Sequence, residues 1–186
     1  GSKRIRNKMK TKDKICKNCG GKFTPRNSLQ IACSYPCAIE LAKKKEVEKK
    51  KKEVRKEIKA DKEKLMTHSD WLQVLQVTFN AFIRERDKGL PCISCGTLKG
   101  QFHAGHYRSV GGFPELRFNE DNVHIQCATC NNYLSGNLIE YRKGLINKIG
   151  IEKVEALENF SQTNKMTISE IKEKISLYKE KIKNLR

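Results

Sequence analysis

The stretch HAGHYRSVGG, residues 103–112, lies between two Cys-x-x-Cys pairs, CISC at residues 92–95 and CATC at residues 127–130. Two such pairs presented together make a tetrahedral set of four thiolates, the usual ligands of a structural zinc ion. Because the cysteines alone complete that set, the histidines of the stretch are free for another purpose. The order Cys-x2-Cys-x31-Cys-x2-Cys therefore predicts a zinc-stapled segment that carries a polar site of its own.

A second set of four cysteines lies nearer the amino terminus, with the spacing Cys-x2-Cys-x13-Cys-x3-Cys. Gly20 and Gly21 follow its second cysteine and allow the tight turn of a zinc knuckle. Closely paired cysteines favour metal over disulfide bonds, which usually join cysteines spread along a chain. We expect two structural zinc ions, one on Cys16, Cys19, Cys33 and Cys37 and the other on Cys92, Cys95, Cys127 and Cys130.

The charge balance indicates a polyanionic partner. The chain has 39 Lys and Arg against 21 Asp and Glu, a formal net charge of +18, which makes DNA the expected ligand and a merely soluble basic protein the alternative. No apolar run approaches the length of a membrane span and no signal peptide is recognisable, so we expect no membrane contact and a cytoplasmic location, that of the bacterial host if a phage encodes the chain.

Composition shifts and helix signals predict a helix-rich α+β protein in five segments. These are a basic disordered arm at residues 1–15, a four-cysteine zinc finger at 16–37, a lysine-rich helix or linker at 38–66, a domain around the second cysteine set at 67–160, and an amphipathic helix at 161–186. The lysine-rich helix has only a thin apolar stripe, so it is expected to be mostly solvated, with an interaction surface as the alternative.

Two helices of the carboxyl-terminal part carry clear start signals. Asp70 is expected to cap one that ends before Gly89, and Thr167 with Glu170 forms the capping box of the last. Apolar residues recur along the last helix from Ile168 to Leu185 in a rhythm of 3, 4, 3, 4 and 3. Such a seam needs either the domain's own helices or a second subunit, and we expect a homodimer.

The order of motifs around the second cysteine set resembles a known class of nuclease. His-x-x-His before Gly-Gly, followed by NVHIQCATCN, resembles the HNH, or ββα-metal, motif in its zinc-stapled form. It is similar to phage endonuclease VII, in which an Asn follows the fourth cysteine as Asn131 follows Cys130 here. The stretches PCISCG, HAGHYRS, LRFNEDNVHIQCATCNN and SGNLIEYR resemble the NinG family of lambdoid phages, also called Rap, described as a recombination endonuclease.

The resemblance implies roles for particular residues. His106 would be the general base that deprotonates water, because an imidazole titrates near neutral pH. Asn122 would clamp the backbone of the histidine loop, and Asn131 with His103 would hold a catalytic magnesium or manganese ion. Three arginines would hold phosphates: Arg108, Arg117 and Arg142.

One position departs from the motif. Many HNH sites carry Asp or Glu immediately before the catalytic histidine as a metal ligand, and Gly105 stands there in this chain. His103 is the nearest substitute, with Glu120 or Asp121 as alternatives, and an imidazole ligand leaves the choice between Mg²⁺ and Mn²⁺ open. His124 is expected to be a core or phosphate-contacting residue rather than a ligand.

The resemblance thus implies a metal-dependent endonuclease that hydrolyses phosphodiester bonds in branched recombination intermediates, such as Holliday junctions and D-loops, leaving 5′ phosphates and 3′ hydroxyls. The alternative, kept open by Gly105, is a non-catalytic zinc-containing protein that binds nucleic acid or regulates its use.

Overall fold

The computed structural model describes residues 12–186 and divides the chain into two units, Gly1–Leu65 and Met66–Arg186. Residues 1–11 of the basic arm expected at the amino terminus lie outside the described residues. Among residues 12–186, no helix is both long and apolar enough to cross a membrane.

The first unit is built around a small strand pair and one long helix. Strand β1 (Lys14–Ile15) pairs antiparallel with β2 (Lys22–Phe23). The chain reverses between them through hydrogen bonds from the Cys16 amide to the Gly21 carbonyl oxygen and from the Gly20 amide to that of Cys16, each 2.9 Å long. The expected disorder up to residue 15 is therefore wrong at its last two positions, because this knuckle turn pairs them with β2.

Helix α1 (Tyr35–Leu65) follows and has no buried residue along its 31 positions. It begins before the expected residue 38, because the Ser34 hydroxyl accepts a hydrogen bond from the Cys37 amide and caps the first turn. Pairs such as Lys50 with Glu46, 3.2 Å apart, connect its successive turns. The expectation of a mostly solvated helix agrees with this exposure.

The second unit contains one antiparallel strand pair and four helices. In chain order these are α2 (His68–Arg86), β3 (Phe102–His106), β4 (Val123–Cys127), α3 (Leu138–Ile149), α4 (Ile151–Glu158) and α5 (Ile168–Asn184). A short 3₁₀ helix, Pro114–Phe118, lies between the strands, and a turn of π-helix, Thr129–Tyr133, follows β4. This is the helix-rich α+β class expected from the sequence.

Separate apolar cores lie on the two faces of the β3–β4 pair. On one face Ala104 and Val123 pack with α2 and α5 around Phe79. The other core joins Tyr107, just beyond β3, to residues of the 3₁₀ helix, α3 and α4, including Leu116 and Tyr141. The strand pair contributes Ala104 and Val123 to the first core, whereas the second core is reached only by Tyr107, the residue that follows β3.

Helices α2 and α5 are parallel. Their first turns are adjacent, as the contact of the His68 ring Nε2 with the Met166 carbonyl oxygen at 2.7 Å shows. Their last turns are also adjacent, since Arg186 pairs with Glu85 at 2.9 Å. The apolar seam of α5 is buried against α2 within the same chain, at Ile171, Ile175 and Tyr178. The domain's own helices are therefore the partner of this seam, and its central residues are not available for the expected homodimer, which stays a prediction.

Helix ends depart from expectation in one place and follow it in others. Asp70 is not the cap of α2: Thr67 caps it, and Asp70 completes a capping box three residues later. The capping box of α5, with Thr167 and Glu170, is confirmed. Gly150, at φ +87°, separates α3 from α4, whereas Gly144 lies inside α3.

Gly144 allows α3 to approach the first knuckle of the second cysteine set. A Cβ atom at this position would lie 1.9 Å from the Ile93 carbonyl oxygen. We expect Gly144→Ala to lower the free energy of unfolding by about 1–3 kcal/mol, because backbone atoms cannot rotate away as a side chain can. Thermal unfolding of the metal-loaded protein measures this. Gly111→Ala, where a Cβ meets nothing within 4 Å, is the control, and equal melting temperatures for the two variants would contradict the argument.

Candidate metal centres and active site

Each set of four cysteines brings its sulfurs into a compact cluster. The Sγ atoms of each set lie within 4.8 Å of one another, with Cys19 and Cys33 3.7 Å apart and Cys95 and Cys127 also 3.7 Å apart. Zinc–sulfur bonds of about 2.3 Å in a tetrahedron place sulfurs about 3.8 Å apart, whereas a disulfide bond is about 2.05 Å long. Both predicted sets therefore could hold zinc.

Backbone amides of the knuckles donate hydrogen bonds to the sulfurs. The amides of Cys19 and Cys33 bond to the Cys16 sulfur and lower the pKa of its thiol to about 6. Burial raises the pKa of Cys92, but bonds from the amides of Cys95 and Cys127 outweigh it and bring the pKa to about 7. Thiolate is the form that binds metal, so these amides favour the ligand state at Cys16 and Cys92. Hydrogen bonds with neighbouring sulfurs raise the pKa of Cys33, and burial raises that of Cys130.

The β3–β4 pair presents the predicted site residues on two different faces. His103 lies opposite Gln126 and Gly105 opposite His124, whereas His106 lies opposite Val123. Because side chains alternate along a strand, His103 projects from the face opposite to that of His106. The structure therefore does not place the two histidines side by side on the sheet.

His106 ends β3 and is half-buried beside the 3₁₀ helix. Its Nε2 lies 3.0 Å from the Arg117 carbonyl oxygen. A carbonyl oxygen can only accept, so Nε2 carries the hydrogen and Nδ1 keeps its lone pair. Nδ1 has no hydrogen-bond partner among residues 12–186. Burial lowers the pKa of His106 below its ordinary value, so the ring is neutral at neutral pH.

Asn122 is fully buried and holds the loop after β3. Its Oδ1 accepts a hydrogen bond from the Arg108 amide at 2.7 Å, and its Nδ2 donates to the carbonyl oxygens of Arg108 and Leu116, each at 3.0 Å. This is the clamp expected of the middle Asn of the motif. Its effect is to fix where the chain leaves His106.

The candidate ligands of a catalytic ion have free acceptor atoms but form no closed cage. Nε2 of His103 is buried and has no hydrogen-bond partner in the described chain. The Asn131 side chain, in the π-helical turn after Cys130, donates to Asn132, and its own oxygen accepts no hydrogen bond from residues 12–186. Within residues 12–186, three or more His, Cys, Asp or Glu ligand atoms come together only in the two cysteine sets.

The carboxylates considered as alternative ligands are occupied by lysines. Glu120 pairs with Lys181, and Asp121 pairs with Lys153 at 3.2 Å. Neither these carboxylates nor His103 belongs to a cluster of three or more His, Cys, Asp or Glu ligands among residues 12–186.

The three predicted phosphate-binding arginines differ in the protein partners of their guanidinium groups. Arg142 forms an ion pair with Glu158 at 2.8 Å, and Glu158 also accepts from the Tyr107 hydroxyl. The Arg117 guanidinium donates to Gln76. Arg108 packs on the Phe113 ring, 3.8 Å from its centroid, and its Nε has no hydrogen-bond partner among the described residues. Among residues 12–186, Arg108 is therefore the one of the three whose guanidinium has no hydrogen bond or ion pair, but its Nε is buried.

Two buried polar residues of this region went unpredicted, Asp87 and Gln126. Asp87, 2% exposed, accepts from the Ile125 amide and pairs with Arg86 and Lys148. Burial alone would raise the pKa of Asp87, but the neighbouring His124 ring, the hydrogen bonds from Arg86 and the nearby positive charges outweigh it and hold the pKa far below its usual range. In the sequence Asp87 is one charged residue among many near a helix end, so no local signal distinguishes it.

The chain is strongly basic and has two sets of four sulfurs, one of them at the end of a strand pair that carries histidines. It is therefore a small cysteine-rich protein with two candidate metal modules. Its family follows from comparison. A family model described as "Bacteriophage Lambda NinG protein" matches residues 8–186, and the chain belongs to this NinG family of lambdoid phage proteins, as the motifs suggested.

Individual relatives are similar along most of their length. "Protein ninG" of Escherichia phage lambda is 42% identical over 188 residues, covering 92% of this chain and 92% of the relative. "Protein ninG" of Salmonella phage P22 is 40% identical over 188 residues, covering 92% and 93%. No solved structure matches the chain.

We expect the purified protein to carry two zinc ions per chain, because two complete sulfur sets are present. Elemental analysis of the wild type and of Cys127→Ser measures this. The variant should retain one ion in the amino-terminal unit, because the two sets share no residue, and should lose the folded core of the second unit. A wild-type ratio below one, with oxidised cysteines, would contradict the cage interpretation.

Proposed function

We propose that this protein is a metal-dependent DNA endonuclease of the HNH type. The observation that carries the proposal is the hydrogen bonding of His106: its Nε2–H donates to the Arg117 carbonyl oxygen, and its Nδ1 has no partner among residues 12–186. A general base needs a ring held in place with one free acceptor nitrogen, and the position of His106 at the end of β3 meets that requirement.

The reaction would begin with the transfer of a proton from water to Nδ1 of His106 as the water oxygen attacks phosphorus. Burial favours the neutral ring before the reaction. The imidazolium formed then keeps its Nε2–H bond to Arg117, which stabilises the positive charge. Asn122 acts at a distance by fixing the backbone at Arg108, so that the ring does not drift with its loop.

A divalent cation would neutralise charge on the phosphate and on the departing 3′ oxygen. The donor set fits such an ion: His103 offers nitrogen, Asn131 offers an amide oxygen, and both have a free acceptor atom. This mixture of nitrogen and neutral oxygen ligands suits Mn²⁺ better than Mg²⁺, which prefers oxygen alone.

The charge distribution supports DNA as substrate. Helix α1 has all of its side chains at the surface, and Lys45 and Lys52 on one face have no carboxylate within ion-pair distance in the described chain. The choice of branched recombination intermediates rests on the resemblance described above, and symmetrical cutting of a junction would require two active sites and hence a dimer.

The second candidate function is nucleic-acid binding without cleavage. The observation that favours it is the absence, among residues 12–186, of any cluster of three His, Asp or Glu ligands beside His106. Both functions share the zinc modules and the basic helix, so cleavage itself distinguishes them.

We expect His106→Ala to lower the cleavage rate of a synthetic four-way junction by about 10²- to 10⁴-fold, because the general base is lost. Junction affinity and zinc content should stay at wild-type values. His68→Ala is the matched control, since the His68 ring also contacts a carbonyl oxygen through Nε2, at 2.7 Å, but lies at the start of α2.

The pH profile gives the same test a second readout. The wild-type rate should fall as pH drops through the lowered pKa of His106, with a midpoint below the ordinary histidine value of about 6.5. This acid limb should disappear in His106→Ala. If His106→Ala cleaved the junction at the wild-type rate, the nuclease proposal would be wrong and the binding function would replace it.

A separate prediction concerns how DNA is held by α1. Replacing Lys45 and Lys52 by Gln should reduce the slope of log affinity against log salt by about 1.8, if each lysine contacts one duplex phosphate. The control replaces Lys43 and Lys50, which lie 3.7 Å and 3.2 Å from glutamates, and removes the same net charge. Equal effects of the two double variants would show that only long-range charge matters.

A further inference from the structure

Gln126 has a carboxamide whose orientation is fixed inside the second unit. The side chain is fully buried. Its Nε2 donates to the Ser94 hydroxyl at 2.7 Å and to the Gly136 carbonyl oxygen at 2.6 Å. Because the Gly136 oxygen can only accept, the amide cannot be turned around without placing two oxygens against each other. The position of Oε1 is therefore determined by the knuckle and by the loop before α3.

The Gln126 oxygen itself has no hydrogen-bond partner among residues 12–186. A buried acceptor left unpaired costs about 1–3 kcal/mol, so its retention needs a reason. The oxygen lies over Gly105: a Cβ atom built at position 105 would be 2.3 Å from Oε1 and 2.9 Å from the Gln126 Cβ. Only glycine fits at position 105 while Gln126 is present.

The same face of the strand pair carries the other free acceptor. His103 lies directly opposite Gln126, and its Nε2 is also buried without a hydrogen-bond partner in the part of the chain that the structure describes. Positions 103 and 105 share this face because they are two residues apart on β3. The Gln126 oxygen thus occupies the space that the Cβ atom of an Asp or Glu at position 105 would need.

We propose that the carboxamide oxygen of Gln126 is, with His103, a ligand of the divalent cation, and that it replaces the carboxylate absent from position 105. The proposal rests on the function proposed above and names the oxygen donor of the same site. A neutral oxygen paired with an imidazole nitrogen makes the site selective for Mn²⁺ and similar transition ions over Mg²⁺.

The first test measures Mn²⁺ binding to the full-length, zinc-loaded protein by electron paramagnetic resonance of the free ion. Gln126→Met keeps the length of the side chain and removes the oxygen, and it should weaken Mn²⁺ binding at least tenfold. The control is Gln30→Met in the first unit, the same change at a carboxamide whose oxygen already accepts from the Arg26 amide at 2.7 Å. Wild-type Mn²⁺ affinity in Gln126→Met, or no Mn²⁺ bound by the wild type, would overturn the proposal.

A second test exchanges the two ligands and does not depend on how well Gln126→Met folds. Gly105→Asp alone should lower the melting temperature, because its Cβ collides with the Gln126 oxygen. In a Gln126→Gly background, which removes both the oxygen and the Cβ atom that a Cβ at position 105 would meet, the same substitution should cost much less stability. The double variant should also gain Mg²⁺ affinity over the wild type, measured by competition with Mn²⁺. Additive stability effects, or no gain in Mg²⁺ affinity, would count against the assignment.

The outcomes separate this site from the proposed nuclease. Mn²⁺ binding that depends on Gln126 without any DNA cleavage would leave the ion site standing and remove the nuclease. Cleavage that depends on His106, together with wild-type Mn²⁺ binding in Gln126→Met, would retain the nuclease and remove Gln126 from its metal site.

Discussion

The second unit depends on the convergence of four sulfurs at one end of a two-stranded sheet. A strand pair of five residues on each side is marginal in water by itself, and a chain with 37% apolar residues has little material for a larger core. Cys92 and Cys127 are buried beside Phe102, where β3 begins and β4 ends. That anchored strand pair positions the residues of the candidate site: His103, His106 and Gln126.

A buried carboxylate complements the sulfur cluster from another direction. Asp87 ends α2, accepts from the backbone of β4 at Ile125, and reaches Lys148 of α3 at 3.1 Å. The neighbouring His124 ring accepts a hydrogen bond from Arg86 at Nδ1 and contacts the Asp121 carbonyl oxygen through Nε2. A charge withdrawn from water needs several partners at once, and here those partners belong to three elements. The Asp87 carboxylate therefore links α2, β4 and α3 through its hydrogen bonds and ion pairs.

Local features of this protein could be predicted from the sequence, and pairings across long distances could not. The cysteine spacings, the capping box of Thr167 and the break at Gly150 each involve residues within a few positions of one another. The ion pair of Arg142 with Glu158 and the use of the α5 seam by α2 depend on how separate helices meet. The two faces of β3 follow from the period of a strand, but only once residues 102–106 are known to be one. The free oxygen of Gln126 has no signature in sequence at all, because it is defined by what surrounds it.

The parallel pairing of α2 with α5 has a consequence for the order in which the unit folds. His68 and Met166 meet across 98 positions of chain, whereas Cys95 and Cys127 meet across 32. Closing the longer loop costs about 1 kcal/mol more in chain entropy, and contacts between distant residues slow folding. Sulfurs held early by a metal ion would shorten the effective loop that α5 must close. The cage would then govern the speed of assembly, and a cell poor in zinc would accumulate chains with the α2 face still open.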